Sequence, residues 1–353
     1  MTVRYFLGAN TPNGFYSLFQ HLLPVERAGT MYILKGGPGC GKSTLMNRLS
    51  RAARERGEPV EEILCSGDPD SLDAVLLPEK GIALVDGTAP HVVEPRCPGA
   101  VDRYVDLGVC YDYPALAPLK EEILARKADC AAACTRATRF FRAAAELQEE
   151  NRNLLLTPAL QEKFAKRARG IIGREFSPRK EGPGRVTHRF LDALTCQGEV
   201  HLYETAEILC PRIYILSDSR GISHDFLLHI LNGAVENGHS AVACHDPMFP
   251  EKLRHVLVPG GAAFLTIPGE FSGKPYRRLR VDAMAEENMS RSIRPRLRFS
   301  RKMAAALEEE GFSALSGFKQ AHDELEALYR PHSDFTRADE MAERMEREIF
   351  GVK

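Results

Sequence analysis

Residues 36–43 read Gly-Gly-Pro-Gly-Cys-Gly-Lys-Ser, followed by Thr44. Glycines at 36, 37, 39 and 41 let successive backbone N–H groups turn inward around an anion, and a helix beginning directly afterwards adds partial positive charge at the same point. In that setting the Lys42 ammonium reaches the β- and γ-phosphates of a nucleotide, the Ser43 hydroxyl takes a place on Mg²⁺, and Thr44 hydrogen-bonds the α-phosphate. Pro38 and Cys40 complete the loop, Cys40 as a small filler rather than a redox switch. The chemistry these residues suit is the handling of a nucleoside triphosphate.

The flanking elements are the ones such a loop requires. Residues 31–34 (Met-Tyr-Ile-Leu) form a short apolar run that predicts a strand. Beyond the loop, apolar residues at 45, 46, 49, 52 and 53 recur with helical spacing, and Gly57 stops the helix. Residues 60–64 and 82–85 predict further strands, so strands alternate with helix and a parallel sheet covered on both faces is expected.

With loop, strand and helix in place, the chain resembles the P-loop NTPase superfamily. Its first phosphate-binding motif matches residues 36–43. Its second, four apolar residues and an acid, matches Ile-Ala-Leu-Val-Asp at 82–86. The resemblance implies that Asp86 orients Mg²⁺ through water and that Ser43 and Asp86 form the metal site. It extends to a family of bacterial ATP-binding proteins with two tandem P-loop-like units, on Phe-Leu-Gly-Ala-Asn-Thr at 6–11, the loop itself, and the stretches Ser-Gly-Asp-Pro-Asp-Ser-Leu-Asp (66–73) and Asp-Gly-Thr-Ala-Pro-His (86–91). Many such ATPases place a Glu directly after the second-motif Asp to polarise the attacking water, but Gly87 stands there. The remaining candidates for that part are Asp68, Asp70, Asp73, Thr88, His91 and Glu94, of which Asp70, Asp73 and His91 join Lys42 and Asp86 as the expected catalytic set. Asp68-Pro69 reads instead as the start of a helix.

The chain repeats itself. Phe6, Leu7, Ala9, Thr11, Gly14 and Leu18 recur as Phe190, Leu191, Ala193, Thr195, Gly198 and Leu202, and Tyr-Ile-Leu at 32–34 recurs at 214–216. Two units follow: 1–178 with the intact loop and a helical extension, and 188–353 as a degenerate copy with its own helical extension. Residues 178–187 read as a linker. In the copy, strands are expected at 213–216, 241–245 and 262–267. Its loop, Asp-Ser-Arg-Gly-Ile-Ser-His-Asp at 218–225, aligns His224 with Lys42 and Asp225 with Ser43. The acid of the second motif aligns near Ile267. A carboxylate at 225 facing polyphosphate predicts a dead second nucleotide site. Residues 125–145, alanine-rich and free of Gly and Pro, and most of 282–350 predict helix.

The chain has 353 residues, 47 Lys plus Arg against 48 Asp plus Glu, and a formal net charge of −1. That balance argues against coating nucleic acid or an anionic membrane. No run approaches a membrane span, and no signal-peptide pattern opens the sequence. Nine cysteines without a C-x-x-C pair suit a reducing cytoplasm. Two basic stretches, 163–189 and 274–302, are read as solvated helix faces, with a lid over a triphosphate as the alternative. The expected function is Mg²⁺-dependent ATP binding and hydrolysis. A small-molecule or nucleotide kinase is the runner-up, and a nucleotide-sensing scaffold read by a partner protein through the helical regions is a third class. No Asn-Lys-x-Asp tetrapeptide is present to read guanine.

Overall fold

The computed structural model describes residues 1–24, 29–179, 182–267, 269–286, 289 and 291–351. The first unit runs β1 (Thr2–Phe6), β2 (Gly8–Thr11), β3 (Gly14–Ser17), β4 (Thr30–Lys35), α1 (Lys42–Glu55), β5 (Val60–Leu64), β6 (Leu72–Leu77), β7 (Ile82–Asp86) and β8 (Asp102–Asp106). The short α2 (Tyr113–Leu116) and two longer helices follow, α3 (Lys120–Leu155) and α4 (Pro158–Glu175). The second unit repeats the plan with β9 (Val186–Arg189), β10 (Asp192–Thr195), β11 (Gly198–His201), α5 (Tyr203–Leu209), β12 (Arg212–Leu216), α6 (His224–Glu236), β13 (Ala241–His245), β14 (Leu253–Leu257), β15 (Ala262–Thr266) and β16 (Tyr276–Leu279). It ends in α7 (Val281–Glu286), α8 (Arg294–Tyr329) and α9 (Phe335–Phe350).

Each unit holds a six-stranded sheet, and the two orders match strand for strand: β1-β5-β6-β7-β4-β8 and β9-β13-β14-β15-β12-β16. The expectation of a wholly parallel sheet needs correction. β6 runs antiparallel to both β5 and β7, and β14 does the same between β13 and β15. Residues 72–77, Leu-Asp-Ala-Val-Leu-Leu, are buried without interruption, as a strand covered on both faces must be. Asp68 therefore caps a turn into a strand and starts no helix: Asp70 N and Ser71 Oγ donate to its carboxylate at 3.3 and 3.0 Å. Asp246 caps the corresponding turn through Met248 N at 2.9 Å.

The two units share one core. Phe6, Leu7, Phe190, Leu191, Ile213 and Leu265 belong to the same buried cluster, which also takes in Ala338, Met345 and Ile349 of α9. The helical extensions cross over. α4, from the first half, packs on α6 of the second through Leu160, Phe164 and Ile171 against Phe226 and Ile230, and α9 packs on α1. Between them α3 and α8, each of 36 residues, lie antiparallel, tied by Arg126–Glu324 and Arg136–Glu310 ion pairs at 2.9 and 3.2 Å. Gly311 sits where the ring of Phe141 crosses: an added Cβ would lie 2.5 Å from the Phe141 ring. No helix among the described residues is long and apolar enough to cross a membrane. All nine cysteines are free thiols.

Candidate functional site: two loops at equivalent sheet edges

The 36–41 loop joins β4, in the sheet interior between β7 and β8, to α1. Gly39 and Gly41 have φ of 71° and 90°, values that side-chain-bearing residues rarely adopt. Gly36 and Gly37 are glycine for room, since an added Cβ would lie 2.6 Å from Cys40 Sγ or 2.9 Å from the Tyr111 hydroxyl. Cys40 is buried under the loop, as a filler should be, and the Tyr111 hydroxyl donates to Pro38 O at 2.7 Å. No side chain caps α1 and no acid lies in its first turn, so the helix presents free donors and positive potential. Lys42 Nζ crosses the loop, donating to Gly36 O at 2.8 Å and Gly37 O at 2.9 Å and standing 3.7 Å from Asp86 Oδ2. Thr44 is exposed at the helix start.

Lys42, Ser43, Asp86, Asp73 and His91 converge at the carboxyl end of β4 and β7. Asp86 Oδ1 accepts from Thr88 N at 2.8 Å and Thr88 Oγ1 at 2.5 Å, which leaves Oδ2 facing Lys42. Ser43 Oγ accepts from Leu72 N at 3.0 Å. Asp73 lies one step beyond the Ala74–Val85 pair of the β6–β7 ladder, beside Asp86. Burial pushes the Asp73 carboxyl up to about 6, with neighbouring His91 pulling it down and Asp86 pushing it up. Its Oδ2 has no hydrogen-bond partner, and neither has either ring nitrogen of His91. His91 Nδ1 is 3.9 Å from that oxygen, and its ring stacks on Phe19 with centroids 4.7 Å apart. Buried polar atoms left unpaired in this way mark a place where a ligand, ion or water completes the set. The hard oxygens of Ser43, Asp86 and Asp73 suit Mg²⁺.

Asp70 does not join them. It is exposed, and its carboxylate accepts from Gln197 Nε2 at 3.0 Å, in the hairpin of the second unit. A Glu at position 87 is excluded sterically, because a Cβ there would come within 2.4 Å of Ile33 Cγ2 and 3.2 Å of Val93 O. The helices over this loop come from the far end of the chain: a Cβ on Gly39 would meet Arg330 Cγ at 3.2 Å and Glu326 O at 3.3 Å. Among the described residues of the two basic stretches, none is placed over this loop. Residues 163–175 lie in α4 against α6, and 294–302 lie in the first part of α8, over the second loop.

The second loop differs from its sequence alignment by one residue. Leu72 N donates to Ser43 Oγ, and the matching Leu253 N donates to His224 Nδ1 at 2.9 Å. The buried residues of α1 and α6 agree on the same register. His224 thus stands for Ser43 and Ser223 for Lys42, because the loop is one residue shorter. Ladder register puts Thr266, not Ile267, at the Asp86 position. The Lys42–Asp86 charge pair becomes a pair of buried hydroxyls, Ser223 Oγ and Thr266 Oγ1, 3.1 Å apart. Asp225 corresponds to Thr44 and accepts from Gln161 Nε2 of α4 at 2.9 Å, so carboxylate repulsion is not what distinguishes this loop. Asp218 is. It occupies the place of Gly36, is buried, and accepts from Arg220 N at 3.1 Å and Ser223 N at 2.7 Å, using donors that a phosphate would need.

One cluster escaped the sequence. Asp192, buried at the start of β10, meets Arg254 Nε at 2.8 Å, His255 Nε2 at 2.6 Å and His201 Nδ1 at 2.9 Å. These partners hold its carboxyl far below the usual range despite burial. Together with Glu199 and His201 it has the spacing of a metal site, but the Arg254 guanidinium already fills the role of the cation.

No protein-family model matches the chain, and neither a curated protein nor a solved structure is significantly similar to it.

Proposed function

We propose that the first unit binds Mg²⁺-ATP on the 36–44 loop and hydrolyses it. The observation that carries this is the joint placement of Lys42, Ser43 and Asp86 around the uncapped start of α1. A β/γ-phosphate would exchange the Lys42 contacts to Gly36 O and Gly37 O for charge-assisted ones, which are roughly twice as strong as neutral hydrogen bonds. Mg²⁺, when bound, would neutralise developing phosphate charge. Ser43 would contact the metal directly and Asp86 through its water shell.

Asp73 takes the part that residue 87 is barred from playing. Its free Oδ2 accepts a proton from a water that attacks the γ-phosphorus. The P–O bond to the bridging β–γ oxygen breaks, ADP leaves, and inorganic phosphate carries the new oxygen. His91, whose Nδ1 lies 3.9 Å from Asp73 Oδ2, is a positioning residue for that carboxylate. Phosphate release with Mg²⁺-ATP, with and without a panel of nucleosides and nucleotides, tests the reading. Turnover without an acceptor supports hydrolysis, and a strict acceptor requirement would favour the kinase. A kinase would use Asp73, which stays beside Asp86, to hold the acceptor hydroxyl, since Asp70 points away to Gln197.

A sensing role has a specific observation in its favour. α8 reaches the first loop at Glu326 and Tyr329 and the second loop at its other end, a span of about 50 Å at 1.5 Å per residue. ATP binding without turnover, accompanied by changed amide exchange along α8, would favour that reading over hydrolysis.

A further inference from the structure

A cavity of about 720 Å³ lies not over the glycine-rich loop but over the second one. The sheet edge, the 218–224 loop, the last turns of α3 and the first turns of α8 enclose it. Its five acids are all engaged. Glu199 accepts from Arg254 at 2.5 Å and Glu286 from Arg220 at 2.6 Å. Asp218 and Asp246 hold backbone N–H groups, and Glu308 accepts from Gln148. Of its cations, Arg152, Arg220, Lys252 and Arg254 are paired with acids, and three others are not. Arg294, Arg298 and Arg301 fall on one face of α8 at spacings of four and three, line the cavity, and make no ion pair with any described residue. Arg220 Nη1 and Asn151 Oδ1 are buried at its wall without a hydrogen-bond partner, and Asn151 is only 9% exposed. The first turns of α3, residues 120–130, hold a single arginine, Arg126, where those of α8 hold four.

We propose that this cavity is a second binding site, for a small organic phosphate held by side chains rather than by a backbone nest. With Asp218 occupying the loop donors, a phosphate has to sit above the loop, within reach of Arg220 and the three arginines of α8. Planar guanidinium forks grip phosphate oxygens in pairs. Leu155, Leu194, Leu297 and Phe312 supply an apolar wall for the organic part, in a volume typical of metabolite sites. Because Thr266 stands where Asp86 would hold a metal, binding is independent of Mg²⁺.

Titration calorimetry with inorganic pyrophosphate in EDTA, on the full-length Lys42→Ala chain, isolates this site from the first. The expected result is one saturable site per chain with millimolar or tighter affinity. That affinity should fall at least tenfold in the Arg298→Glu/Arg301→Glu variant of the same chain, with helical circular dichroism unchanged. Should the charge reversal disturb α8, Arg298→Gln/Arg301→Gln provides the same test with a smaller perturbation. Absence of saturable binding to the Lys42→Ala chain would overturn the proposal, and so would binding that ignores both arginine pairs.

Discussion

Phe6 and Phe190, which occupy the same position in the two repeats, exchange both of their backbone hydrogen bonds at 2.9 Å. A reciprocal contact between equivalent residues is the signature of an isologous interface, here between two halves of one chain. Around it, Arg4 N donates to Thr205 Oγ1 at 2.8 Å and Arg189 Nε to Glu61 at 2.5 Å. The helices crossing over from each half then close the opposite unit.

The first prediction follows from that exchange. Residues 1–178 and 188–353 expressed separately should each lack a cooperative thermal transition, because α1 loses α9 and α6 loses α4. Co-expression should restore a complex that purifies together and unfolds in one step. A sharp transition for 1–178 alone would mean that the crossed helices contribute little.

The duplication was legible because strand-forming residues recur in order, and the loop was legible because glycine spacing reports backbone geometry directly. The antiparallel β6 was missed because Asp-Pro is as good a start for a helix as for a turn, and only burial on both faces of residues 72–77 decides between them. The one-residue slip at Ser223 and His224 was invisible because Gly221 and Leu227 also align with the glycine and leucine of the wrong register. The crossing of α4 and α9 leaves no sequence mark at all, since an amphipathic face does not say which half it covers. The arginines at 294, 298 and 301 are exposed, as a solvated helix face should be, but their spacing alone does not say that they border a cavity.

Lys42→Ala should weaken Mg²⁺-ATP binding or abolish turnover, since the structure offers no second ammonium inside the loop. Asp86→Asn should leave the thermal midpoint within a few degrees and still reduce Mg²⁺-dependent phosphate release by tenfold or more. A large fall in midpoint with turnover intact would make Asp86 a structural acid that braces Thr88.

Asp73 gives a pH signature with a defined sign. Its carboxyl is raised from an unfolded value near 3.8 to about 6. Between those values the native chain binds more protons than the unfolded one, so stability is highest below the unfolded value and falls as pH rises through about 6. The loss amounts to as much as about 3 kcal/mol, because each pH unit separating the two values is worth about 1.36 kcal/mol. Urea midpoints from pH 4 to 7 should therefore flatten in Asp73→Asn and lie above wild type at pH 7. Phosphate release should run the opposite way in the wild type, rising through about pH 6 as the base ionises, and should be lost in Asp73→Asn. If that variant retained turnover with an unchanged profile, another group would be the base.

Gly311→Ala sets two effects against each other. Alanine gains roughly 1 kcal/mol over glycine in a helix interior. The new methyl would collide with the buried Phe141 ring at 2.5 Å, and overpacking of this kind costs about 1–3 kcal/mol. Net destabilisation is expected, and Phe141→Ala in the same chain should recover part of it. Separate loss and gain that simply add would show that the ring moves aside freely.

The degenerate loop can be questioned by rebuilding it. The one-residue offset makes Ser223→Lys/Thr266→Asp, and not changes at 224 and 225, the substitutions that restore the Lys42–Asp86 pair. That double variant alone should bind no additional ATP, because the Asp218 carboxylate still takes the Arg220 and Ser223 N–H groups. Adding Asp218→Gly frees both donors and removes a buried negative charge from the centre of the loop. Mg²⁺-dependent ATP binding should then appear as a second class of sites in calorimetry, weaker than the first because Ile222 stands where Gly41 turns the chain. If the double variant bound Mg²⁺-ATP with Asp218 intact, the carboxylate would not be what closes this loop. If the triple variant bound none despite a cooperative thermal transition, the shorter loop and its missing glycines would be the cause instead.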